Sequence, residues 1–110
     1  MINETIKKIE DTLKKAKHIS EEKRKELNEL LSSLKNEVST LSETQPDDAK
    51  SIVGFAEVAT HEALRDTQKN DLLSLAQNGL DQSVQEFTSS HPNLSAVVKT
   101  LTRTLSNLGV

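Results

Sequence analysis

The chain has 110 residues, a formal net charge of −3 and no cysteine. It is therefore read as one domain, without a disulfide framework, a thiolate metal site or a cysteine nucleophile. Leu, Ile, Val and Phe supply 29 of the residues, with two Phe and neither Trp nor Tyr, which is enough for a folded core but makes that core aliphatic.

Ile2, Ile6, Ile9, Leu13 and Ala16 are spaced four and three apart, which keeps them on one side of an α-helix. The spacing predicts a first helix over about 4–17, with Asn3 as its N-cap. His18, Ile19 and Ser20 form a short connection, and Ser20 suits the N-cap of a second helix ending near Leu41. Leu27, Leu31, Leu34, Val38 and Leu41 stripe that helix. A three-residue connection makes residues 1–42 an antiparallel helical hairpin. Residues 43–48 read as a linker, and 49–110 as the C-terminal helices. Pro46 ends the second helix or opens the third, and Asp47 and Asp48 supply acids to that helix's N-terminus. The third helix is predicted to run to about Asp66 on the small-residue stripe Ile52, Ala56, Ala59 and Ala63. Val53, Phe55, Val58 and Leu64 fall on its flanks. A break at 67–71 offers Asn70 or Asp71 as a cap. A fourth helix follows over about 72–88, with Leu73, Ala76, Leu80, Val84 and Phe87 inward. Pro92 forces an extended His91 and opens a fifth helix striped by Leu94, Val98, Leu101, Leu105 and Leu108. Gly109 fits a left-handed C′ position, with Leu105 meeting Val110. The fold class is all-α, a bundle of four to five helices.

The charge divides unevenly. Residues 1–25 hold eight basic and five acidic side chains, and the remainder six and twelve. The basic end can be read as an anionic-surface patch. Helix-end electrostatics explain it with less, and no aromatic accompanies it, so nucleic acid is not expected as a partner. No apolar run approaches the roughly 18 residues that cross a bilayer, and no signal-peptide core opens the chain. A cytoplasmic protein is the expectation.

Glu57, His61 and Arg65 lie at i, i+4 and i+8, forming a polar column on the third helix with Glu62 beside it. The second His of a zinc-protease helix is missing. The column is read as an ion-pair row or a partner-recognition strip, not as a catalytic or metal site. His91 is assigned a corner or capping role, and His18 a place at a helix C-terminus. No cofactor is implied.

The block from Phe87 through His91, Pro92 and Leu94 to Leu105, Leu108, Gly109 and Val110 resembles a family of small bacterial proteins classed as a domain of unknown function. Its members end in Phe, a few polar residues, His-Pro, an apolar stripe and Leu-x-x-x-Gly-Ile; Val110 stands where Ile is usual. Residues 51–65 are similar to the longer members. The resemblance implies an intracellular helical protein and no activity. The excess of apolar stripe over chemistry makes a non-catalytic interaction or scaffold protein the leading expectation. A homodimer through the hairpin follows, with Leu30 and Leu34 near the interface, because one bundle looks too small to cover so wide an apolar face. The alternative is a module that holds an apolar ligand or lipid tail inside the bundle.

Overall fold

A computed structural model describes residues 2–108 as five helices: α1 (Ile2–Lys15), α2 (Glu21–Ser42), α3 (Pro46–Ala63), α4 (Asn70–Gln85) and α5 (Pro92–Asn107). The 4-3 stripes become the core. Ile6, Ile9 and Leu13 of α1, Leu27, Leu31, Leu34, Val38 and Leu41 of α2, and Leu94, Val98, Leu101 and Leu105 of α5 are all buried. Gly109 and Val110, with the C′ turn read for them, lie outside the described residues.

Side-chain contacts set the direction of each helix. Arg24, near the start of α2, reaches the last carbonyls of α1, and Ile2 and Asn3 share a surface hollow with Ser39 and Ser42 at the other end. The expected hairpin is therefore antiparallel. Thr104 Oγ1 donates to Glu26 at 3.2 Å, so α5 runs against α2. Gln77 donates to the Thr102 carbonyl at 3.1 Å and to Ser106 Oγ at 2.8 Å, so α4 also runs against α5. The result is an up-and-down bundle with a radius of gyration of 12.9 Å, in line with a compact chain of this length.

α3 is the centre. It touches each of the other four helices, while α1 and α4 flank it without meeting. This explains its composition. Ala49, Ala56, Ala59 and Ala63 are buried, and their small side chains let several neighbours approach one axis. The same crowding traps a polar group. Thr60 is buried, and its Oγ1 has no hydrogen-bond partner. A hydroxyl desolvated without a partner costs about 1–3 kcal/mol. Thr60→Val keeps the shape and the β-branch, so it should raise stability by about 1 kcal/mol and the thermal midpoint by several degrees. A lowered midpoint in a melting experiment would mean that the hydroxyl contributes to the fold.

Several element ends differ from the sequence expectation. Asn3 is inside α1, not its cap, because Ile2 already packs against the core and draws the helix back. α1 ends at Lys15 instead of 17, so the connection is longer than three residues. Ser20 is a true N-cap, its Oγ accepting from the Lys23 amide at 3.1 Å. The linker shrinks to 43–45 because Pro46 takes the first helical position of α3. α3 stops at Ala63, where Leu64 adopts φ −101°, ψ 5°. Lys69, not Asn70 or Asp71, occupies the N-cap position of α4. α4 ends at Gln85, and a turn carries the chain on to His91. His91 precedes Pro92 as expected, yet its side chain does not cap α5. It stacks edge-on against Phe87, ring centres 5.7 Å apart, and its Nδ1 lies 3.0 Å from Ser90 Oγ. This is the corner role, without the cap.

Candidate functional site: an apolar face on α3 and α4

The polar column does not form a continuous ion-pair row. Arg65 lies two residues past the end of α3, and its guanidinium turns to Glu62 at 2.8 Å. His61 Nε2 is 3.8 Å from the same carboxylate. The Glu62 side chain is 9% exposed, while His61 is 63% exposed, so Glu62 is the anchor of this cluster. None of the described ion pairs includes Glu57. The helix end explains the change of partner, since an i, i+4 register between His61 and Arg65 needs helix through residue 65. Among the described residues, no group of three or more His, Cys, Asp or Glu side chains could hold a metal ion. His18 lies in the α1–α2 connection, Nε2 3.5 Å from Asp66 in the α3–α4 connection, with both side chains well exposed.

The hairpin surface expected to self-associate is occupied differently. Leu34 is 0% exposed, and Leu30 is partly buried against the same core. α3 and α5 cover the stripe that a second copy was expected to cover. Leu34 belongs to the chain's own interior and cannot line an interface while the bundle is closed.

Among the described residues, the large apolar side chains most exposed to solvent are Phe55, Val58, Leu72 and Leu75, at 40%, 48%, 45% and 67% exposure. All four lie on α3 and α4. Phe55 and Val58 are one turn apart on α3, as Leu72 and Leu75 are on α4. The helices meet closely here. The Phe55 ring lies over Gly79, and a methyl group built at Gly79 would run into it. A glycine inside a helix costs roughly 1 kcal/mol relative to alanine. What it provides here is a seat for an aromatic ring, which folds Phe55 into the α3–α4 seam. Gly54, on the outer side of α3, would meet nothing within 4 Å if it carried a Cβ, so the backbone there is open to an approaching side chain. Sequence reading places Phe55 and Val58 on the flanks of α3. It passes over Leu72 and Leu75, although both fall outside the stripe of Leu73, Ala76, Leu80 and Val84, and that offset is the available signal.

A second feature is a groove of about 540 Å³ between α4 and α5. Asn78, Asp81, Gln82, Ser95 and Lys99 are among its lining residues, a set of amide, hydroxyl and charged groups. It is unlike the apolar interior cavity that a lipid tail would need.

The chain matches no family model, no curated protein and no solved structure at a significant level. No helix among the described residues is long and apolar enough to cross a membrane. The class defined on physical grounds is an all-α, five-helix up-and-down bundle with an apolar face on α3 and α4.

Proposed function

We propose that this is a non-catalytic helical interaction protein that self-associates, and that its working surface is the α3–α4 face. The observation that carries the reading is the gathering of Phe55, Val58, Leu72 and Leu75 on two adjacent helices, while the other large apolar side chains of the described helices are buried or partly buried against the core. Scattered exposed leucines are ordinary on protein surfaces, whereas a contiguous apolar patch marks an interaction site. The resemblance of the C-terminal block to helical proteins of unknown function agrees with this reading and assigns no chemistry.

Sedimentation equilibrium tests it. The wild-type chain is expected to show mass above the 12.2 kDa monomer at micromolar concentration. Leu75→Glu should return it to monomer with little loss of stability, because the leucine is mostly in water already. A monomer mass for the wild type across the concentration range would reject self-association. An oligomer unmoved by Leu75→Glu would place the contact on another face.

A further inference from the structure

The groove between α4 and α5, about 540 Å³ in volume, falls within the about 300–1,000 Å³ range of small-molecule sites. At one end the two helices are tied together. Gln77 donates across to the Thr102 carbonyl and to Ser106, and Thr102 Oγ1 donates to Asp81 at 3.5 Å. Beyond Asp81, no side-chain hydrogen bond among the described residues crosses from α4 to α5. The floor there is Val84 and Ser95, 4% and 5% exposed.

Ser95 is the unusual residue. A helical hydroxyl can turn back to a carbonyl one turn earlier, as those of Thr12, Thr40 and Thr100 do at 3.0, 3.2 and 3.0 Å. Ser95 is more buried than any of these, yet its hydroxyl has no hydrogen-bond partner among the described residues. Thr60 Oγ1 also lacks a partner, but it is sealed in the core, whereas Ser95 opens on the groove. The walls repeat the pattern. Asn78, Gln82 and Gln85 are spaced four and three apart on α4, which sets their amides in one row. None of these amides has a partner among the described residues. Asp81 stands in the same wall and Lys99 in the opposite one. Neither joins an ion pair among the described residues.

We propose that this groove binds a short peptide with free ends, in extended form. The proposal is independent of the self-association above. A primary amide presents N–H donors and a carbonyl acceptor side by side, the same pair that a peptide bond presents. The row from Asn78 to Gln85 is about 10 Å long at 1.5 Å per residue. That is room for about three residues of extended chain at about 3.3 Å each. Asp81 takes the terminal ammonium, Lys99 takes the terminal carboxylate, and Ser95 meets a backbone group of the peptide at the floor. One ammonium set across from one carboxylate suits a zwitterion. It does not suit a phosphate, which Asp81 would repel.

Titration of the isotope-labelled chain with trialanine, followed by NMR, tests this. Saturable shifts are expected in the side-chain amide signals of Asn78, Gln82 and Gln85 and in the backbone amide of Ser95. Trialanine acetylated at its N-terminus and amidated at its C-terminus should bind at least about fivefold more weakly, because it lacks both charge-assisted contacts. Asp81→Asn and Lys99→Gln replace exposed residues. Each should weaken trialanine severalfold and leave the capped peptide unchanged. Ser95→Ala should weaken both peptides while the helical circular dichroism stays at the wild-type level. Absence of a saturable shift with trialanine would overturn the proposal, as would equal binding of the free and capped peptides. Equal shifts of the same signals with glucose or inorganic phosphate would show that the groove does not read a peptide.

Discussion

Leu34→Ala should destabilise the fold by about 2–5 kcal/mol, the usual range for truncating a buried leucine. Leu34 is 0% exposed in the middle of α2, the longest helix, and α2 packs against α1, α3 and α5. A cavity there opens between rigid neighbours that cannot all move inward together. A domain of this size has a total stability of about 5–15 kcal/mol, so the loss is a large share of it. The thermal midpoint should drop by roughly 10–25 °C, at about 5 °C per kcal/mol. Leu30→Ala should cost less than half as much, since part of that side chain is already in water. Melting curves of both variants at two protein concentrations provide the check. A Leu34→Ala midpoint within a few degrees of wild type would mean that the residue is not in the interior.

The contrast between Leu34 and Leu75 shows where sequence reading reaches and where it stops. Periodicity is a property of one helix, and it correctly assigns Ile6, Ile9 and Leu13, the five positions of α2, and Leu94 through Leu105 to a buried side. It does not say what buries them. The width of the apolar face on α2, with Leu30 beside Leu34, suggests that one chain is too small to cover it. The alanine-rich α3 looks too weak to help. In the folded chain those alanines are what allow α3 to sit at the centre, in contact with all four other helices. Small residues bury little area each, yet their effect here is many neighbours per helix. Once α3 is central, the hairpin is covered. The surface left over moves to the outer side of α3 and α4, where Phe55, Val58, Leu72 and Leu75 stand.

Helix ends show the same limit. Ser20 caps α2 as its residue type predicts, because the partner amide is three residues away in sequence. The ends of α1 and α3 depend on groups that local sequence does not display. Nothing in Lys14, Lys15 and Lys17 marks where α1 stops. The group that receives its last carbonyls is eight to eleven residues further on. The polar column of Glu57, His61 and Arg65 dissolves for a related reason. α3 ends between His61 and Arg65, and Arg65 then finds Glu62.

Arg24→Ala should therefore have an effect out of proportion to its place on the surface of α2, costing about 2–3 kcal/mol. One guanidinium nitrogen donates to the Leu13 carbonyl and, at 3.3 Å, to that of Lys14, while the other donates to the Ala16 carbonyl at 2.7 Å. These are carbonyls at the C-terminal end of α1, where the helix runs out of donors of its own; that of Leu13 also accepts the Ala16 amide at 3.3 Å. They also carry the negative end of the helix dipole, which favours a cation. Hydrogen bonds from a charged donor contribute about 1.5–3 kcal/mol, roughly twice a neutral one. The side chain is 20% exposed, and its bridge to the 89% exposed Glu21 adds little by comparison. The interaction also ties the two arms of the hairpin together across their connection, so its loss loosens α1 as a unit. Arg24→Lys should recover only part of the stability, because an ammonium cannot span three carbonyls with a planar fork. Thermal melts rank the three chains, and amide hydrogen exchange locates the change. The expected result is faster exchange over the last turn of α1 in Arg24→Ala, with α4 and α5 unaffected below the global unfolding limit. Equal midpoints for the three chains, or faster exchange spread evenly over all five helices, would show that Arg24 does not hold the end of α1.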